Sequence, residues 1–184
     1  MTSADPVPPL DVRPILRVVM SDHRVRWNGI HGAAHWGRVL QNGLWLSASN
    51  NADAAVVTLF AVLHDSRRVN DHWDPGHGRR GAELARQLRG DLFELTDSQF
   101  GQLYHACEHH TAGHTEGDLT VRTCWDSDRL DLGRVGIWPD PRKLCTDHAR
   151  EKSVIAWALE RSQQGTVPPF VTNEWATAVS VADD

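Results

Sequence analysis

A chain of 184 residues, 40% hydrophobic and 23% charged, can bury one substantial core and has the balance of an ordinary soluble globular domain. Its net charge of −5 argues against a general attraction to long nucleic acids or anionic membranes, although Arg67-Arg68 and Arg79-Arg80 keep enough local charge to hold a phosphate. No run approaches the ~18 apolar residues of a membrane span.

Residues 1–10 are rich in proline and polar side chains and read as a loose tail without signal-peptide character. Asp11 to Met20 has apolar residues at helical spacing, with Pro14 tolerable in the first turn. His31 to Leu46 predicts a second helix with His31 and His35 one turn apart. Ala52 to His64 is apolar almost all round, which marks a central buried helix. Ser66 to Gly76 is a loop rich in Asp, Asn, Pro and Gly. Gly78 to Leu88 predicts a fourth helix closed by Gly90. Thr96-Asp97-Ser98-Gln99 resembles a capping box opening a fifth, which runs to about His110.

Thr111 to Asp118 reads as a loop, Thr120 to Leu132 as helical, and Gly133 to Pro141 as irregular. Thr146 to Arg161 is a final amphipathic helix whose apolar face serves either the core or a homodimer. No strand alternation, internal repeat or linker is evident, so the expectation is one all-α domain over 11–165 with a tail or extension over 166–184. Three cysteines without an export signal read as reduced thiols in a cytoplasmic protein.

Nine of the eleven histidines lie between His31 and His114, a clustering that a metal site needs and a solvated surface does not. The strongest signal is His64-Asp65 at the end of the apolar run. His35 lies 29 residues before His64, and an acidic stretch, Trp125-Asp126-Ser127-Asp128-Arg129-Leu130-Asp131, follows downstream. Imidazoles and carboxylates together suit divalent ions such as Mn²⁺, Fe²⁺, Co²⁺, Ni²⁺ or Zn²⁺. Two His and two Asp leave positions open for water and substrate, which marks a catalytic rather than a structural site. Bringing these residues together requires several helices converging on one point, as a bundle permits.

With His35, Leu63-His64-Asp65 and Ser127-Asp128-Arg129-Leu130-Asp131, the chain resembles the HD-domain superfamily of metal-dependent phosphohydrolases over roughly residues 25–135. The resemblance implies a compact all-α helical bundle of the HD-domain type, with Asp128 rather than Asp126 or Asp131 as the last ligand. It also implies a second ion in some members, here matched by His77 and by His109-His110, with Asp65 bridging the pair. The implied function is phosphate-ester hydrolysis of a small phosphorylated molecule, a nucleotide above all, through a metal-activated water and one or two divalent ions, Mg²⁺ included. A minority of such proteins are di-iron oxygenases. His35, His64, Asp65, His77, His110 and Asp128 match that ligand number, and a non-catalytic metal- or nucleotide-binding module is the third reading.

Arg67 and Arg68 follow the His-Asp pair and are expected to grip a phosphate oxygen or to form an exposed basic turn. Arg129 is expected to pair with an acid such as Asp131, and Asp126 to cap a helix. Glu108 and His114 are weighed as proton-transfer groups against surface residues. His31 is expected to be structural, and His23, His72 and His148 carry no functional case. The cysteines and Trp36 and Trp125 are expected to pack in the core.

Overall fold

The computed structural model describes residues 7–22, 24 and 26–180. The expected residues 1–6 of the N-terminal tail and His23 lie outside them. Eight α-helices follow in order: α1 (Arg13–Ser21), α2 (Ala33–Asn50), α3 (Ala54–Leu63), α4 (His77–Leu88), α5 (Asp97–His109), α6 (Leu119–Arg129), α7 (Lys152–Gln163) and α8 (Ala176–Ser180). Among the described residues there is no β-strand, only one isolated bridge between Arg89 and Phe93. Among the described residues, no helix is long and apolar enough to cross a membrane.

α3 is the hub. Eight of its ten residues, Val56 to Leu63, are buried, and it packs against α1, α2, α4, α5 and α6. Its start is set by Asp53, whose carboxylate accepts from the Ala55 and Val56 amides. Asp53 also accepts from Gln99 Nε2, which ties the start of α3 to α5. The capping box at Thr96 is formed: Thr96 Oγ1 accepts from the Gln99 amide and Gln99 Oε1 accepts from the Thr96 amide.

Three segments differ from the sequence expectation. α2 begins at Ala33, so His31 lies before the helix rather than on its first turn. α7 begins at Lys152, because residues 146–151 are held in turns by backbone bonds such as Glu151 N to His148 O. Its apolar face, with Val154, Ile155 and Ala158, packs on Leu46, Leu130 and Leu144, so this face serves the core.

The segment expected to be a tail or extension forms a π-helical turn (Val171–Trp175) that runs into α8. Val171 and Trp175 enter the main core, and Arg17 of α1 donates to the Ala178 carbonyl. Two prolines and only two turns of helix give too short a periodic pattern to be read before the packing is known.

Close approach of α4 to α3 positions the ends of both helices. A Cβ on Gly81 would meet the Leu63 carbonyl oxygen at 2.3 Å, whereas one on exposed Gly101 would meet nothing within 4 Å. We expect Gly81→Ala to cost about 1–3 kcal/mol through overpacking and Gly101→Ala to be neutral or to stabilise by up to ~1 kcal/mol. Urea unfolding of both variants checks this, and equal effects would refute the close packing.

Candidate metal centre

Four histidines and two aspartates from five helices and their ends meet in the interior. His35 lies in the first turn of α2, His64 and Asp65 follow the last residue of α3, His77 opens α4, His110 closes α5 and Asp128 lies near the end of α6. All but Asp128 are buried, and the Asp65 side chain is only 3% exposed.

Each imidazole is oriented through Nδ1. His64 Nδ1 faces the Phe60 carbonyl at 3.1 Å, His77 Nδ1 the Asp74 carbonyl at 2.6 Å and His110 Nδ1 the Cys107 carbonyl at 2.8 Å. A carbonyl only accepts, so each Nδ1 carries the proton and donates it. His35 Nδ1 lies 2.7 Å from the Asp131 carboxylate and donates likewise. In the neutral rings every Nε2 then presents a lone pair.

These Nε2 atoms converge in two pairs. His35 and His64 approach to 3.2 Å, His77 and His110 to 2.9 Å. Asp65 lies between the pairs. Its Oδ2 is 3.6 Å from His35 Nε2 and 3.7 Å from His64 Nε2, and its Oδ1 is 3.0 Å from His77 Nε2 and 3.5 Å from His110 Nε2. Asp128 Oδ1 faces the first pair at 3.6 and 3.9 Å, and this one oxygen, unlike the residue as a whole, is buried and has no hydrogen-bond partner. Facing lone pairs beside an unpartnered carboxylate oxygen repel one another unless a cation sits among them. The donor set, imidazole nitrogen with carboxylate oxygen, fits a divalent first-row cation. Two groups have ligand atoms close enough together to share one: His35, His64 and Asp128, and His64, Asp65 and His110.

Electrostatics agree at the first pair. Burial pushes His64 down from 6.5 to about 3, against the pull of Asp65 and Asp128, so it stays neutral. Burial acts to raise Asp65 and Asp128, but His64 and the neighbouring histidines outweigh it. Asp65 lies well below the usual carboxylate range, and Asp128 falls to about 2 with help from Arg134. His110 is raised: burial opposes its charge, but its bond to Asp65 and the charges of Asp65 and Asp128 prevail.

An outer layer holds this set. Asp131 accepts from His35 and from Arg38, whose Nε is 2.6 Å away, and Arg38 continues to the Thr166 carbonyl. Asp74 accepts from Arg80 at 2.6 Å and from the Val69 amide, which fixes the loop that delivers His77.

Several expected residues lie elsewhere. Arg67 turns away from the cluster, and its guanidinium donates to the Val19 and Asp22 carbonyls at the end of α1. Arg68 stays, with NH1 3.4 Å from Asp65 Oδ1 and 3.1 Å from His77 Nε2. His109 points out of the cluster toward Glu108 and the His105 ring, leaving His110 as the member of that pair which enters. Arg129 does not pair with Asp131. It donates to the carbonyls of Lys143 and His114, because Asp131 is already committed to Arg38 and His35.

Asp126 caps no helix end. It lies within α6, buried, and accepts from the Cys145 and Thr146 amides and the Thr146 hydroxyl. His31 was expected to be structural, yet its Nδ1 lies 3.0 Å from Asp65 Oδ2. The only sequence signal for it was its place four residues before His35.

No protein-family model matches the chain, and no curated protein matches it. Among solved structures it is similar to a predicted HD superfamily hydrolase from an uncultured Thermotogales bacterium. That likeness has a TM-score of 0.62 and 24% identity over 83% of this chain and 90% of that one. The chain therefore shares the all-α fold of that protein.

Two outcomes follow for the metal-free protein. The unfolded chain takes up a proton on His64 near pH 6.5, whereas the folded chain excludes it until about pH 3. Between those values the unfolded state binds more protons, so stability falls as pH falls. His64→Gln should flatten that acid limb in thermal melts, and an unchanged limb would refute the assignment. Asp131→Ala strands the buried Arg38 guanidinium and should cost on the order of 3–5 kcal/mol, measurable by urea unfolding.

Proposed function

We propose that the protein is a metal-dependent phosphohydrolase acting on a small phosphorylated molecule, with a nucleotide as the favoured substrate class. The observation that carries this reading is the pair of Nε2–Nε2 contacts on either side of the Asp65 carboxylate. One divalent ion would be held by His35, His64, Asp128 and Asp65 Oδ2, and a second by His77, His110 and Asp65 Oδ1. Mn²⁺, Fe²⁺, Co²⁺, Ni²⁺, Zn²⁺ and Mg²⁺ are the ions to test. Such ions supply Lewis acidity toward a water molecule and a phosphoryl oxygen.

The chain's own groups do the positioning. Asp65 serves both histidine pairs and fixes their separation. Arg68, beside Asp65 Oδ1 and His77, offers a planar guanidinium to non-bridging phosphoryl oxygens. Asp131 and the Phe60, Asp74 and Cys107 carbonyls keep each histidine in the one tautomer that leaves Nε2 free. The three cysteines are buried free thiols, which supports the reading of a reducing, cytoplasmic setting.

One observation also favours a second reading. The six residues brought together, His35, His64, Asp65, His77, His110 and Asp128, are the number and kind that a di-iron oxygenase of this fold requires. The two readings separate experimentally.

Protein purified without chelator should carry two divalent ions per chain and release phosphate from members of a nucleotide panel with Mn²⁺, Co²⁺, Ni²⁺ or Mg²⁺. Asp65→Ala should lose both ions and all metal-dependent release. Asp131→Asn should weaken metal binding about 10–100-fold. Two irons with oxygen consumption and no phosphate release would select the oxygenase. Tight nucleotide binding without turnover would select a non-catalytic module.

A further inference from the structure

Beside the metal centre, on the outer side of the loop that joins Asp65 to His77, lies a groove in two connected parts. The larger has a volume of about 400 Å³ and the smaller about 240 Å³, and Asp22, Arg67 and Arg80 line both. The larger part alone falls in the range of small-molecule pockets, ~300–1,000 Å³.

Its walls are basic in a chain whose net charge is −5. Arg24, Arg67, Arg68, Arg79 and Arg80 line it, against the acids Asp22 and Glu83. Glu83 is already engaged by the Tyr104 hydroxyl at 2.6 Å and by Arg86 at 2.9 Å, and Asp22 lies 3.7 Å from Arg67. α4 starts at this wall with Arg79 and Arg80 and no acid in its first turn, so its positive end adds to the field.

Two of these arginines are fixed by the fold. Arg80 Nε donates to the Arg67 carbonyl, and Arg67 donates to the end of α1. Arg79 is 71% exposed, with only a long contact of 3.9 Å from its Nε to Glu108 Oε1. Arg68 joins the groove to the metal centre: it lines the smaller part while its guanidinium reaches Asp65 and His77.

We infer that this groove is an anion subsite that takes a phosphate group distinct from the one facing the metal ligands. The substrate class is then a molecule with two phosphate groups, one at the metal centre and one held by Arg24 and Arg79, while Arg80, paired with Asp74, shapes the wall. The existence of the subsite stands on the groove alone. The assignment of its phosphate to the substrate rests on the phosphohydrolase reading.

The test separates the two. Inorganic pyrophosphate is titrated calorimetrically into wild type and Asp65→Ala, both stripped of metal with chelator and then freed of the chelator. Binding is expected in both, weakening with added salt and falling at least tenfold in Arg24→Ala/Arg79→Ala. Absence of binding in both metal-free forms, or binding unaffected by the double substitution, overturns the subsite.

With metal restored, Arg24→Ala/Arg79→Ala should raise KM for a nucleoside bisphosphate or diphosphate more than for the corresponding monophosphate. If KM rises equally for both, and inorganic pyrophosphate alters wild-type but not variant turnover of the monophosphate, the groove holds a free anion and the two-phosphate substrate is refuted. If no phosphate is released from any substrate while pyrophosphate still binds, the hydrolase reading fails and the subsite stands.

Discussion

The structure depends on a buried carboxylate, Asp65, held among five imidazoles. Removing a charge from water costs several kcal/mol unless partners replace the solvent; Arg68 NH1 and His31 Nδ1 stand beside Asp65, but each of its oxygens also faces its own pair of histidine nitrogens. The pairs are not interchangeable with ordinary hydrogen-bond donors, because each ring has already given its Nδ1 proton to an oxygen. Three of those acceptors are carbonyls three or four residues earlier in the same chain segment. Three of the tautomers that make the site electron-rich are thus set by local contacts at the helix ends.

The two halves of the cluster are built differently. The His35–His64 half comes from α2, α3 and α6, helices that share the main core, and it is backed by the buried Asp131–Arg38 pair. The His77–His110 half comes from the ends of α4 and α5 and relies on close backbone approach. A Cβ on Gly78 would meet the Cys107 carbonyl oxygen at 2.3 Å, the acceptor of the His110 bond. A proton on His110 can occupy the second half without a cation, whereas His64 is held neutral and leaves the first half without one.

Much of the bundle was legible because apolar periodicity and caps are local. The buried run of α3, the Thr96 box and the order of the helices follow from neighbours within a few residues. What escaped was non-local and polar. Arg129, Asp126 and Arg67 satisfy backbone carbonyls or amides of distant segments, and nothing in the sequence marks which carbonyl needs a donor. The same blindness hid the packing of residues 169–180, whose anchor is the bond from Arg17 to the Ala178 carbonyl as much as the burial of Trp175. His31 escaped for another reason: one turn from a stronger histidine, its contact depends on the chain leaving the helix before Ala33.

These non-local polar contacts bear on the site more than their distance suggests. Asp128 reaches the cluster from α6, and α6 is held by side chains that bond to the segment after it: Asp126 to residues 145–146 and Arg129 to Lys143. Arg38 links Asp131 to Thr166 and so fastens the same segment to α2. A chain cut after α6 would retain all six residues of the cluster yet lose the acceptors and donors that orient Asp128 and His35. The final third of the sequence adds no residue to the histidine–aspartate cluster, but it determines where two of its members point.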